Sequence, residues 1–199
     1  MKKLIYARPS SEKGRVVIGI GEGDGVSRYS VSECLFASLE ISRGDELSEA
    51  VFSEIEEGDR RYRATKKALS LLSISDVSER GLVLKLRRAG YSREIAEAVA
   101  ADMMSHGYIN EKRQLSRLIL REANEKLRGK AQIIPRLLAK GYSAGVINEA
   151  LDELVSAGEL SFSKNAKRLR EKMLPADAGE DEVKKLLYKY GYGVSNFYD

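Results

Sequence analysis

Apolar residues recur along this chain with two different periods, which divide it into two parts. Over residues 1–35, the β-prone run RVVIGI and the alternating VSRYSVS flank the turn sequence GEGDG. This pattern predicts strands joined in a hairpin that closes near Asp24-Gly25. From about Ser32 the apolar spacing becomes helical. A break at RGDELSEA separates the first helix from the next, and RYRATKKALSLLS predicts a third helix.

The helical part repeats itself. KLRRAGYSREIAEAVA, which begins at Lys85, aligns with RLLAKGYSAGVINEAL, which begins at Arg136, at a shift of 51 residues. A third copy aligns at a shift of 50, where Gly191 meets Gly141. In each copy a short helix is expected to end at a left-handed glycine, and a serine is expected to cap the next helix. The tyrosine after the glycine is expected in the core, with its hydroxyl at the rim.

This pattern predicts a mainly α fold, a tandem array of three-helix repeats with a small N-terminal β-hairpin and helical extension. Because the third copy stops at Asp199, it is expected to lack its last helix. The expected domains are the N-terminal extension at 1–60, repeat 1 at 61–109, repeat 2 at 110–160 and the truncated repeat 3 at 161–199.

The long helices that link the copies carry regularly spaced cations. Arg113, Arg117 and Arg121 recur every four residues and span about 80° of a helix, and Arg128 falls inside the same arc. The positions that match the first three at a shift of 51 are also basic: Lys164, Arg168 and Lys172. Stripes that repeat with the architecture favour an extended polyanion or a helical assembly of acidic subunits as ligand. Duplication of an ordinary solvated face would give the same register.

Charge and cysteine content sharpen this picture. Residues 1–60 carry a net charge of −4, whereas residues 61–199 carry +8, so acidic partners are expected for the helical part. The single Cys34 cannot form an internal disulfide, which favours a reducing cytoplasm, and we expect it to be half-buried. The apolar runs are too short for a membrane span or a signal peptide. An asymmetric array is expected to be a monomer.

The sequence offers little chemistry for catalysis. His106 is the only histidine and is expected at a helix C-terminus, so neither a zinc site nor a catalytic triad is predicted. The acidic run from Glu54 to Asp59 lacks the ligand spacing of a calcium loop and is interpreted as a solvated helix end. We therefore expect no enzyme activity and no cofactor or metal.

Four phrases together resemble the RecX family, modulators of the RecA recombinase: ALSLLSISDVSERGLVLKLRRAGYS, MMSHGYINEKR, GKAQIIPRLLAKGYSAGVINEAL and EVKKLLYKYGY. The resemblance covers the chain from about residue 64 and is weaker before it. It implies an all-helical array without catalytic activity. The array would bind along the groove of the RecA–single-stranded-DNA filament, limit its extension and lower strand exchange and ATP hydrolysis. Family members commonly have two aspartates where Asn110 and Glu111 stand here.

Carried onto this chain, the resemblance assigns contact with the filament and its DNA to the basic residues of the array. These are Arg113, Arg117, Arg121, Lys164, Arg168 and Lys172, with Lys85, Arg87 and Arg88 as further candidates. Two alternatives remain open. A helix-turn-helix protein that binds duplex DNA is disfavoured by the acidic helix in SAGVINEALDELVSAGE. An enzyme acting on nucleic acid would need clustered carboxylates or a base beside a nucleophile.

Overall fold

The computed structural model describes residues 2–23 and 25–193. The elements are β1 (Lys2–Pro9), β2 (Arg15–Glu22), β3 (Gly25–Ser32), α1 (Glu33–Ser38), α2 (Glu49–Ile74), α3 (Glu79–Arg88), α4 (Arg93–Ser105), α5 (Glu111–Leu120), a π-helical turn (Arg121–Glu125), α6 (Lys130–Ala139), α7 (Ala144–Ser156), α8 (Phe162–Met173) and α9 (Glu180–Tyr190). The predicted mainly α fold with a small N-terminal β extension is confirmed. No helix in the described ranges is long and apolar enough to cross a membrane.

The chain forms two compact units that interleave in sequence. The first contains the residues up to Ile74 together with Val83–Asp102, and the second contains Ser75–Leu82 together with the residues from Met103 onward. The division therefore falls inside α3 and α4. The repeat boundaries derived from the sequence remain a prediction.

The N-terminal strands form an antiparallel sheet in the order β1-β2-β3. The predicted hairpin joins β2 to β3 and closes where Glu22 pairs with Gly25; Asp24, placed at its turn, lies outside the described residues. The strand β1 adds to β2 on the other side, so the sheet is larger than a simple hairpin. Its inward side chains, including Leu4 and Ile18, share a core with Phe52 and Ile55 from α2. The alternation of apolar and polar residues thus places one face of the sheet on a helix.

The helix α2 is continuous over 26 residues. The sequence pattern predicted two helices here and placed a domain boundary after residue 60, which lies inside α2. Gly58 lies inside this helix, where α2 contacts α1 and β3. A side-chain carbon at this position would lie 2.7 Å from Leu35 Cδ2 and 3.4 Å from Val31 Cγ1. The glycine therefore lets α2 approach β3 and α1 closely, at a helix cost of about 1 kcal/mol relative to alanine.

Asp59 corrects the interpretation of the acidic run as a solvated helix end. Its side chain is buried in the middle of α2. One carboxylate oxygen accepts the N–H of Ser30 at 2.8 Å, and the other pairs with Arg63 at 2.6 Å. Because Ser30 lies in β3, this carboxylate fastens the helix to the sheet. The buried charge is compensated by both contacts, as a buried carboxylate requires.

The second unit has two apolar cores. The larger is built from α5, α6 and α7 around fully buried residues such as Ile119, Ile133 and Ile147. The smaller joins α8 and α9 through Leu169 and Leu187. The apolar positions at helical spacing in the sequence therefore do form the core.

The glycines and serines of the repeated motif behave as expected. Gly141 and Gly191 have φ of 94° and 86°, in the left-handed region that glycine adopts without strain. The Ser143 hydroxyl accepts the N–H of Val146 at 3.4 Å and so caps α7. Each short helix thus ends as the sequence predicted.

Helix ends of the second unit meet in the same way at two places. The Ser78 hydroxyl, just before α3, donates to the carbonyl of Lys140 at the end of α6, at 2.8 Å. The Gly129 amide, just before α6, donates to the carbonyl of Tyr190 at the end of α9, at 2.8 Å. The donors are 51 residues apart and the acceptors 50, which is the period of the sequence repeat. Unpaired groups at one helix terminus are thereby satisfied by the terminus of another.

Candidate polyanion-binding face

The helix α5 presents two of the predicted cations to solvent. The Asn110 side chain accepts the N–H of Arg113 at 3.0 Å and so fixes the start of the helix. Leu115 and Ile119 are fully buried on the core side of the helix, which turns Arg113 and Arg117 outward. Arg121 follows directly after α5 and is also exposed. The predicted stripe therefore exists as an exposed surface.

The helix α8 carries the matching stripe. The Ser161 hydroxyl accepts the N–H of Lys164 at 3.3 Å and so caps the helix. Leu169 is buried, whereas Lys164, Arg168 and Lys172 are exposed. Since the caps Asn110 and Ser161 and the buried Leu118 and Leu169 are each 51 residues apart, the two helices show their cations in the same way.

The remaining predicted site residues lie in different surroundings. The linking helix was predicted to run through Arg128, but α5 gives way to the π-helical turn at Arg121, and Arg128 lies beyond that turn. The side chain of Arg128 is only 25% exposed and pairs with Glu122. Lys85, Arg87 and Arg88 form the exposed last turn of α3, in the first unit.

An ion pair recurs with the sequence repeat. In the first unit, Arg61 Nη2 lies 2.7 Å from Asp102 Oδ2. In the second unit, Lys112 Nζ lies 2.7 Å from Glu153 Oε1. Each partner in one pair is 51 residues from its counterpart in the other. The 51-residue repeat in the sequence is therefore also a repeat of contacts. In each case a long helix, α2 or α5, pairs with the helix that follows the Gly-Tyr turn, α4 or α7.

The middle cation of each stripe contacts an acceptor from elsewhere in the chain. The Arg117 guanidinium pairs with the Asp76 carboxylate. Among the described residues, the Arg168 guanidinium donates to the Asn124 backbone carbonyl at 3.5 Å and forms no ion pair. The matching position in the first unit is Lys66, which pairs with Glu12. Sequence analysis missed these acceptors, because no local spacing links Asp76 or Glu12 to residues more than 40 positions away.

Glu12 also shows how the N-terminal extension meets this face in the first unit. Its second oxygen accepts the hydroxyl proton of Tyr62 at 2.6 Å. The hydrogen bonds from Lys66 and Tyr62 hold the pKa of the Glu12 carboxyl below its usual value. A carboxylate of the acidic extension thus neutralises Lys66, the cation that matches Arg117 and Arg168.

A groove of ≈ 630 Å³ runs beside the α5 stripe. It is lined by Asp76, Arg113, Ser116, Arg117, Leu118, Leu120, Arg121, Asn124 and Glu125. Three arginines with planar, multiply donating guanidinium groups border a single open groove. This arrangement suits phosphate or carboxylate oxygens, which accept two hydrogen bonds from one guanidinium.

The tyrosines of the repeated motif lie in the core, as predicted for Tyr142 and Tyr192, but their hydroxyls are not at the rim. Tyr142 OH donates to Gln114 Oε1 at 2.9 Å in a buried contact. Tyr192 OH is buried and has no hydrogen-bond partner within the described residues. The residue that matches Gln114 is Asn165, one methylene shorter, and its amide donates to Asn124 instead at 2.8 Å. Burial raises the pKa of both tyrosines to about 12.

Groups with catalytic or metal-binding potential are scattered. His106 is exposed just after α4 and contacts Ser105. Cys34 is exposed in α1, so the prediction of a half-buried cysteine was wrong. Over residues 2–23 and 25–193, no group of three or more His, Cys, Asp or Glu side chains is placed to hold a metal ion.

Comparison with known proteins places the chain. No family model matches it. The regulatory protein RecX of Leptothrix cholodnii is 36% identical over 115 residues, which cover 57% of this chain and 71% of that protein. The regulatory protein RecX of Clostridioides difficile is 29% identical over 150 residues, or 75% of this chain and 69% of that protein.

The fold has a solved counterpart. A crystal structure of a regulatory protein RecX superposes with a TM-score of 0.73 over 99% of this chain and 97% of that one, at 22% identity. The structural likeness shows a shared fold, and the sequence identity over most of the Leptothrix protein shows shared ancestry. The chain belongs to the RecX family.

Proposed function

We propose that this protein is a non-enzymatic regulator of the RecA recombinase. It binds the RecA–single-stranded-DNA filament through the repeated basic face and limits filament extension, strand exchange and ATP hydrolysis. Membership in the RecX family supports a regulatory role. The exposed stripes of α5 and α8 support binding to a long, regularly charged partner.

The observation that carries this proposal is the charge on α8. This helix holds five cations, Lys164, Lys167, Arg168, Arg170 and Lys172, and one acidic residue, Glu171. All six are exposed, and none forms an ion pair with another part of the described chain. A surface of this kind attracts a polyanion and releases its counterions on binding.

Binding of a partner to this face involves no chemical reaction. The stripes present ammonium and guanidinium donors, which recognise phosphate and carboxylate oxygens but do not transfer protons at neutral pH. Because the cations lie on rigid helices, the face is already arranged before binding. Occupation of the filament groove by such a face would block the addition of further RecA subunits.

The test is ATP hydrolysis by RecA from the same source on single-stranded DNA, with this protein added below equimolar amounts. We expect the protein to inhibit ATP hydrolysis and Arg168→Glu to weaken this inhibition about tenfold or more. The substitution changes the charge by two units at a position that forms no ion pair among the described residues. Arg117→Glu is expected to have a smaller effect, because Asp76 already offsets its charge. The matched control is Arg60→Glu, an exposed arginine on α2 that pairs only with Glu56 one turn away.

Three results would contradict parts of this proposal. Equal inhibition by all three variants would move the contact away from the stripes. No inhibition by the native chain would remove RecA as the partner. No inhibition combined with tight, salt-dependent binding to duplex DNA would favour the helix-turn-helix alternative.

A further inference from the structure

Four cations surround one carboxylate where α5 ends. The Glu122 carboxylate lies 2.7 Å from Lys126 Nζ, pairs with Arg128, and has Arg121 and Arg136 guanidinium nitrogens at 3.9 Å. We call these five residues the Glu122 cluster. Its single negative charge leaves a net charge of +3 in a small volume.

The carboxylate of the cluster is buried, whereas three of its cations are partly exposed. The Glu122 side chain is 9% exposed, whereas those of Arg121, Lys126 and Arg136 are 45–46% exposed. Burial alone would raise the pKa of Glu122, but the hydrogen bonds from Lys126 and Arg128 outweigh it and hold the pKa below its usual value. Glu122 is therefore a permanent anion at neutral pH that orients the cations around it.

The backbone is arranged to build this cluster. The chain departs from α-helical geometry over Arg121–Glu125, a π-helical turn, and such turns occur frequently at functional sites. Leu127 then adopts a φ of 51°, which is uncommon for a residue with a branched side chain. Lys126 lies one turn after Glu122, and Arg128 follows the left-handed Leu127 and pairs with the same carboxylate.

Uncompensated cations at this spacing repel one another, and a bound anion relieves that repulsion. The side chains of Arg121 and Arg136 are about half exposed, and guanidinium groups suit the oxygens of a phosphodiester. Arg121 is also the last member of the α5 stripe and lines the groove beside it. A polyanion lying along the stripe would therefore reach the cluster directly.

We propose that the Glu122 cluster is a phosphate-binding site for single-stranded nucleic acid, with Arg121, Lys126 and Arg136 as ligand-binding residues and Glu122 as the positioning residue. The inference deepens the proposed function, on which it rests for its polyanionic ligand. It adds Lys126 and Arg136, which the spacing of the stripe does not include.

The experiment is a titration of fluorescein-labelled oligo(dT) with the full chain, followed by anisotropy at several salt concentrations. Arg136→Gln and Lys126→Gln are each expected to weaken binding about three- to tenfold and to lower the salt slope by about 0.7, the value for one phosphate contact on a single strand. The control Arg60→Gln removes the same charge from α2 and is expected to change neither quantity by much. Variants that match this control would overturn the site.

For Glu122→Gln, general charge attraction and a positioning role of Glu122 predict opposite changes in binding. The substitution raises the net charge, so general attraction predicts tighter binding. If Glu122 positions the cluster, binding weakens about two- to fivefold and the salt slope falls. Tighter binding overturns the positioning role. Should this variant fail to fold, as judged by circular dichroism, the exposed Arg136→Gln still decides the question.

Different experimental results would contradict the proposed function and the proposed phosphate site. A native chain that leaves RecA unaffected, but binds oligo(dT) through Arg136, contradicts the proposed function and supports the site. Inhibition of RecA together with an Arg136→Gln variant that binds oligo(dT) as the control does contradicts the site alone.

Discussion

Repeat 2 and repeat 3 share a pattern of residues but differ in how their polar groups are paired. In repeat 2, Arg117 pairs with Asp76 and the buried Tyr142 hydroxyl donates to Gln114. In repeat 3, Arg168 reaches only a backbone carbonyl and the Tyr192 hydroxyl has no partner in the described structure. The middle cation of the stripe and the buried tyrosine hydroxyl are thus both paired in repeat 2, whereas in the described part of repeat 3 the same two groups have a weak contact and none.

The difference shows how duplicated units can take separate roles. Duplication preserved the caps, the buried leucines and the stripe, which all follow from local sequence. The pairing of the stripe depends on acceptors outside the unit, and these were free to change. At the middle position of the stripe, the carboxylate of Asp76 offsets the charge of Arg117, which leaves Arg168 the better suited of the two to hold a partner.

The largest effect is expected in the core. Tyr142→Phe leaves the buried Gln114 oxygen without its donor and should lower the free energy of unfolding by about 1–3 kcal/mol. Tyr192→Phe removes a hydroxyl that has no hydrogen bond within the described residues, so the free energy of unfolding should stay the same or rise slightly. Urea unfolding of both variants measures this. Equal destabilisation would show that Tyr192 OH has an acceptor after all.

A smaller effect is expected at the stripe. Asp76→Asn frees Arg117 from its carboxylate, which should tighten binding of oligo(dT) about two- to threefold and steepen the salt slope by about 0.7. Loss of this exposed pair should cost at most about 1 kcal/mol of stability. The control Asp152→Asn makes the same charge change at an exposed position of α7. If the two variants bind alike, Asp76 does not hold Arg117 back from an anion.

The smallest effect is spectroscopic. Tyr142 and Tyr192 should ionise near pH 12, because burial disfavours the phenolate. Their pKa in the unfolded chain is about 10, so their contribution to stability is present below pH 10 and is lost as the pH rises to about 12. Absorbance of tyrosinate at alkaline pH checks this. Tyr192→Phe should remove one late-ionising group, and an unchanged late phase would assign it to other tyrosines.

The sequence predicted what depends on local spacing. The helices, the left-handed glycines, the serine caps and the outward direction of Arg113 and Lys164 all follow from residues within a few positions of one another. The continuity of α2 was missed, because the middle of this helix is held by contacts such as that of Asp59 with Ser30 in β3. A contact of this kind joins elements distant in the sequence and leaves no periodic signal.

Charge pairing was harder to predict still. Asp59 looked like one more exposed acid in an acidic run, yet it is the member that β3 buries. Asp76 and Glu122 likewise carry no motif, although they decide which arginines are neutralised and which are clustered. The position of a carboxylate relative to a distant cation is fixed only by the packed fold.

The meeting of helix ends bears on how the protein forms during synthesis. The Gly129 amide at the start of α6 finds its acceptor in Tyr190, which leaves the ribosome much later. Ser78 depends in the same way on Lys140. The starts of α3 and α6 therefore each lack one hydrogen-bond partner until a later part of the chain has been made. Folding along such a chain would advance one repeat behind translation, with each new unit closing the one before it.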